Sequence, residues 1–180
     1  MRLGLAVAPA LVLAAACSPR IEPMAPEPPA PSIAAPTLSS DGYGPIRIGM
    51  TPEEASAAFG HPLQLNGERV NDCASYVLDP GVEPQAMRFL AIGGRLARID
   101  DHGSEGVATN EGISVGASAE AVRAAYPGVL EGPGEHYPPT TTLTAWTGPG
   151  QSGYRFHIYD GHVTGIAAGT EAIQLTEACS

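Results

Sequence analysis

The sequence predicts an α+β domain of two tandem β-α-β-β-β repeats, each a short helix packed on an antiparallel sheet, behind a signal peptide and a disordered linker. Three observations point there. An apolar run at the N-terminus stops at a cysteine, a proline-rich stretch follows it, and the rest of the chain matches itself at an offset of 67 residues.

Residues 1–16 carry one charge, Arg2, and then an apolar run interrupted only by Pro9. A bilayer span needs about 20 apolar residues, so the run is too short to cross and has the layout of a secretory signal. It closes as Leu13-Ala14-Ala15-Ala16-Cys17, which resembles the lipobox of bacterial lipoprotein signals. In that family the cysteine is lipidated and the chain is cut just before it. The resemblance therefore implies acylation at Cys17 and a lipid bilayer as partner. Ala14 stands where the pattern more often has Leu, and the same residues also fit a plain signal cleaved without lipid.

Residues 17–41 form the expected tether. Seven prolines lie between residues 18 and 40, mixed with Ala, Ser and Glu. Such a composition fills no core and favours an extended polyproline-like chain, up to about 3.1 Å per residue.

The two repeats are read as residues 42–109 and 110–180. Ile46, Gly49, Glu53, Ala57 and Ala58 recur as Ile113, Gly116, Glu120, Ala124 and Ala125. Arg88, Phe89, Gly94 and Ile99 recur as Arg155, Phe156, Gly161 and Ile166 at the same offset. Fixed-offset agreement at both ends of a unit is the signature of duplication. Each copy opens with a short strand, residues 45–50 or 112–117. Thr51 then offers a helix cap, with Pro52 at the first helical position and Glu54 placed for a capping box. Ser118 offers the same cap in the second copy. The helices span 52–59 and 119–126, with apolar residues at i, i+3 and i+4. Gly60 and Pro127 stop them. Three strands follow in each copy, 73–79, 86–92 and 95–100, then 140–147, 153–159 and 162–167. Gly93-Gly94 and Asp160-Gly161 are two-residue hairpin signals.

Net charge is -10, with no lysine and nine arginines against 19 acids. From residue 42 onward seven arginines face 16 acids, so the acidity belongs to the domain. That balance argues against nucleic acid or anionic headgroups as partners through charge.

Ile46-Arg47-Ile48-Gly49-Met50-Thr51-Pro52-Glu53-Glu54, closing at Phe59-Gly60-His61-Pro62, resembles the opening of the outer-membrane barrel-assembly lipoprotein E family. The doubled helix-plus-sheet unit is similar to that of the β-lactamase inhibitory protein family. The second copy departs from the motif at Ala117 and Pro127. These resemblances imply a scaffold that binds proteins and performs no chemistry, and they carry no contact residue onto a numbered position.

Three cysteines remain to be placed. With Cys17 given to the anchor, Cys73 and Cys179 form the natural disulfide of an exported chain. Strand alternation sends Met87, Phe89, Ala91, Tyr154, Phe156 and Ile158 toward the helices. Arg88, Leu90, Ile92, Trp146, Arg155, His157 and Tyr159 then point outward. That outward set holds residue types common in protein-binding hot spots, although the arginines also suit pairing with the many carboxylates.

Gly112-Ile113-Ser114-Val115-Gly116 matches the G-x-S-x-G pattern, but Ser114 precedes its capped helix by four residues, unlike a nucleophile elbow. Asp100-Asp101-His102 reads as a solvated loop after a hairpin strand. The histidines 61, 102, 136, 157 and 162 make no ligand cluster, and no cofactor motif occurs. The expectation is a non-catalytic lipoprotein without cofactor or metal. It would be exported, anchored in the outer membrane facing the periplasm, and bound to another envelope protein. The alternative is an unanchored inhibitor of a hydrolase or a small-ligand binder.

Overall fold

A computed structural model describes residues 36–134, 140–147, 152–176 and 179, all within the unit Ala34–Ser180. The signal segment, Cys17 and most of the proline-rich stretch lie outside the described residues. The fold is α+β, dominated by antiparallel sheet, with two short helices.

A small meander comes first: β1 (Leu38–Ser39), β2 (Gly42–Tyr43) and β3 (Ile46–Arg47), hydrogen-bonded in that order. A Cβ on Gly42 would lie 2.0 Å from the Ile46 carbonyl oxygen, so only glycine lets these strands approach. Leu38 is fully buried and its N–H donates to Ala108 O at 2.9 Å. The end of the stretch read as tether is therefore part of the fold, which starts before the expected boundary at residue 42.

Helix α1 spans Pro52–Phe59. Glu54 N–H donates to Thr51 Oγ1 at 3.2 Å and Thr51 N–H donates to Glu54 Oε2 at 2.9 Å, completing the capping box. Gly60 ends the helix at φ +81°, a left-handed conformation that costs glycine nothing. Helix α2 spans Ala119–Ala125, capped by Ser118 Oγ, which accepts from Ala121 N–H at 3.1 Å. It stops one residue short of the expected end.

The strands β4 (Leu63–Leu65), β5 (Cys73–Leu78), β6 (Met87–Ile92) and β7 (Arg95–Asp101) follow α1. After α2 come β8 (Leu130–Pro133), β9 (Thr141–Trp146), β10 (Gly153–Tyr159) and β11 (His162–Gly169). All eight form one sheet in the order β4-β5-β6-β7-β11-β10-β9-β8. Four strands thus follow each helix, where three were expected. The added strands, β4 and β8, are short edge strands, too brief for alternation to reveal them. The opening strand of the first copy shrinks to Ile46–Arg47. In the second copy, residues 112–117 form no strand, because Gly112 and Gly116 stand at φ +82° and +91° and turn the chain.

One sheet face carries the main core. Phe89 lies opposite Ile99, and Leu143, Phe156 and Ile166 continue the apolar layer across the other half. Ala55 of α1 and Val122 of α2 pack into the same cluster. Each fully buried ring is worth about 3–5 kcal/mol against alanine. Tyr126, Tyr154 and Phe156 form an aromatic trio with centroids 5.3 to 5.9 Å apart. The Tyr154 hydroxyl donates to Leu38 O at 3.2 Å, and burial pushes that phenol up to about 12. No helix among the described residues is long and apolar enough to cross a membrane.

Candidate functional site

The other sheet face is where the expected binding residues should lie, and the backbone register decides which of them meet. Bulges at Leu90/Ala91 against β7 and at His157/Ile158 against β11 shift the alternation. As a result β7 presents Arg98 and Asp100 on this outer face, with Leu90 opposite Arg98 and Arg88 opposite Asp100. Asp100 lies beside Ala167, Arg155 and Thr144 on successive strands.

Arg155 and Leu90, both expected to be exposed, are buried, at 8% and 0% exposure. For Arg155 the physical reason is the segment after β11. A short 3₁₀ turn, Glu171–Gln174, packs against β7, β10 and β11. Its last carbonyls point at the sheet and need donors. Arg98 Nη1 donates to Ala172 O at 3.1 Å and Leu175 O at 2.9 Å. Arg155 Nη1 donates to Ile173 O at 3.3 Å and Gln174 O at 3.0 Å. Two arginines therefore hold four successive carbonyls, and the segment that follows carries Cys179, disulfide-bonded to Cys73 of β5 with Cα atoms 5.2 Å apart. Ala172 and Ile173 are buried under this strap.

Asp100 and Asp101 are likewise no loop. Both are strand residues, 6% and 0% exposed, and they face opposite sides of the sheet. Asp101 Oδ1 accepts from Ser104 N–H at 2.9 Å and ends β7 in a side-chain-capped turn. Asp100 pairs with Arg98, Nε to Oδ1 3.0 Å, with both side chains 8% exposed. Burial raises the Asp100 carboxyl above its usual range, and the charges of Arg98, His102 and Arg88 offset only part of that rise.

Beside the strap the outer face opens into a cavity of about 460 Å³. Arg88, Arg98, Asp100, His102, His157 and Gly165 are among its walls, with Thr141, Thr164 and Thr176. Gly165 lies opposite His157, and a Cβ placed on it would stand 3.5 Å from His102 Nδ1 and 3.6 Å from His157 Cδ2. Two imidazoles thus flank a floor that glycine leaves open. Arg88 is exposed and its guanidinium makes no hydrogen bond or ion pair with a described residue.

Of the seven residues read as an outward face, the fold brings Arg88 and His157 together in this cavity. Arg155 is spent on the strap. Trp146 pairs with Gly153 at one end of β10 and Tyr159 stands at the other, about 20 Å away at roughly 3.4 Å per residue. Ile92 lies at the β6–β7 hairpin. Trp146, Tyr159 and Ile92 are 40%, 54% and 38% exposed, yet they do not form one patch. The residues missed were Arg98, Asp100, His102 and Gly165. The spacing of 98, 100 and 102 was a signal, hidden because the bulge changes which face that parity takes.

Ser114 sits in the turn before α2, and its hydroxyl makes no hydrogen bond to a histidine or carboxylate among the described residues. No group of three or more His, Cys, Asp or Glu among the described residues is arranged to hold a metal ion. No family model, no curated protein and no solved structure matches the chain.

Proposed function

We propose that this chain is a non-catalytic lipoprotein of the bacterial envelope, anchored through an acylated Cys17, whose α+β domain binds another envelope protein. The cavity on the outer sheet face carries this reading. It sets Arg88, which makes no hydrogen bond or ion pair with a described residue, and two imidazoles beside an ion pair already committed to the fold, in an acidic chain. That is a surface for recognition, and a nucleophile with its base is not among its described walls. The outer membrane, facing the periplasm, is the proposed location, with the barrel-assembly lipoprotein E resemblance as the supporting analogy.

The domain is proposed to be a duplicated unit of one helix followed by four strands, with the opening strand formed in the first copy alone. Gly49 N–H donates to Leu96 O at 2.7 Å, and Gly116 N–H donates to Val163 O at 2.8 Å, the same bond 67 residues on. Leu96 N–H to Met50 O and Val163 N–H to Ala117 O repeat likewise, at 2.7 and 2.9 Å. The strand order, which mirrors itself about the β7–β11 pair, adds further support.

Two measurements test the reading. Mass determination of the chain from fractionated envelopes should find acyl mass on a chain that begins at Cys17, and a soluble chain without it would refute the anchor. A photo-crosslinker at Arg88 should capture a defined envelope protein that the same probe at Arg123, on α2, does not. Equal capture at both positions would refute a partner at the cavity.

A further inference from the structure

We infer that the cavity beside the strap is an oxyanion-binding site, taking a carboxylate or phosphate group of a small molecule. The inference rests on reading the cavity as a recognition surface, but it does not require the partner to be a protein. Three features carry it. First, the described walls hold two guanidiniums and two imidazoles against one carboxylate, Asp100. That carboxylate is already paired, 3.0 Å from Arg98, and Arg88, whose charge also acts on it, makes no hydrogen bond or ion pair with a described residue. In a chain of net charge -10, the described walls of this recess carry a net positive charge, and a walled recess concentrates its field on whatever enters.

Second, the walls offer another kind of donor. The His102 imidazole beside Gly165 carries ring N–H capacity, and imidazole and guanidinium donors together match the several lone pairs of an oxyanion. Third, the space exists because of one residue. Gly165 is buried in β11 between the two imidazole-bearing strands, and any larger side chain there would project between His102 and His157. The volume, about 460 Å³, suits a small organic ligand.

The strap gives the site its rigidity. Leu175 and Thr176 form one wall, and Arg98 fixes that wall through its bond to Leu175 O at 2.9 Å. Arg98 thus acts as a positioning residue, and Arg88 is the group that meets the ligand.

Inorganic phosphate and citrate, titrated separately into the purified full chain at low ionic strength, test this by amide chemical shifts and calorimetry. Saturable shifts are expected at Gly165, Thr141 and Thr164. Arg88→Gln should weaken binding by about tenfold or more, as expected for losing one charge-assisted contact. Arg88→Lys should restore part of it, and Arg123→Gln, whose side chain pairs with Glu131 at 2.9 Å, should change nothing. Gly165→Leu should abolish binding with every charge retained. If that variant does not fold, the exposed Arg88 position still decides. Binding of only one anion identifies which group the site takes. Failure of both anions to saturate, retention of full affinity by Arg88→Gln, or equal displacement by chloride would overturn the inference. Loss of anion binding with crosslinking at Arg88 retained would overturn this inference alone and leave the protein-binding proposal standing.

Discussion

Removing the Cys73–Cys179 bond should lower stability by most of what closing a very long loop contributes. The two cysteines are 106 residues apart, so the link closes everything from β5 to the strap into one ring. Chain-entropy arithmetic for a loop of that length gives about 16 cal/mol/K, or about 4.8 kcal/mol at 25 °C. Measured values usually fall below this limit, and about 3 kcal/mol is a sound expectation for the Cys73→Ala/Cys179→Ala double variant. With a urea dependence of about 2 kcal/mol per molar, the midpoint should drop by about 1.5 M. The effect should also have a local part. Arg98 and Arg155 hold residues 172–175 without the disulfide, so the strap should stay docked but open more often. The assay is urea unfolding of the oxidised chain and the double variant, with hydrogen exchange at the Ile173 and Leu175 amides, which donate to Thr170 O and Ala172 O. A midpoint change below about 0.5 M would refute the loop argument. Unaltered exchange at both amides would refute the claim that the bond secures the strap.

Thr51→Ala removes one half of the capping box of α1 and should cost about 1 kcal/mol in thermal or urea unfolding, with Thr51→Ser nearly neutral. Asp100→Asn should alter the pH dependence of stability. Because the folded Asp100 carboxyl titrates above its unfolded value, its stabilising contribution is complete below about pH 4 and is lost as pH rises through the folded pKa. The parent should therefore lose ground to Asp100→Asn as pH rises above about 4, and a gap that stays constant as pH rises would count against the burial argument. Trp146→Ala and Tyr159→Ala, at exposed positions, should each change unfolding free energy by less than about 0.5 kcal/mol, and a larger loss would place either ring in the core.

Helix α1 was legible down to its ends, since a cap hydroxyl, a proline at the first position and a stopping glycine all act within one turn of the residue they affect. The β6–β7 and β10–β11 hairpins were equally legible, because Gly93-Gly94 and Asp160-Gly161 select the turn locally. The inner face was readable too, since alternation holds along an unbroken strand. The bulges interrupt β7 and β11, and Asp100, read as part of a solvated loop, is a buried residue of β7. β4 and β8 escaped for a different reason: three- and four-residue edge strands exist only because a longer neighbour pairs with them.

By itself, then, the sequence determined the α+β class, the places where helices start and stop, the hairpin turns and the residues of the main core. These follow from interactions spanning a few positions and from side-chain period. The tertiary structure alone decided that β7 pairs with β11, that the C-terminal strap claims Arg98 and Arg155, and that His102 and His157 meet across Gly165. Apart from the Arg155 bonds, which span 18 and 19 positions, these outcomes join residues from 55 to more than 70 positions apart, or rest on a glycine whose importance is the space it leaves. No local pattern encodes such a meeting, because its free energy comes from surfaces that exist only after the sheet has formed.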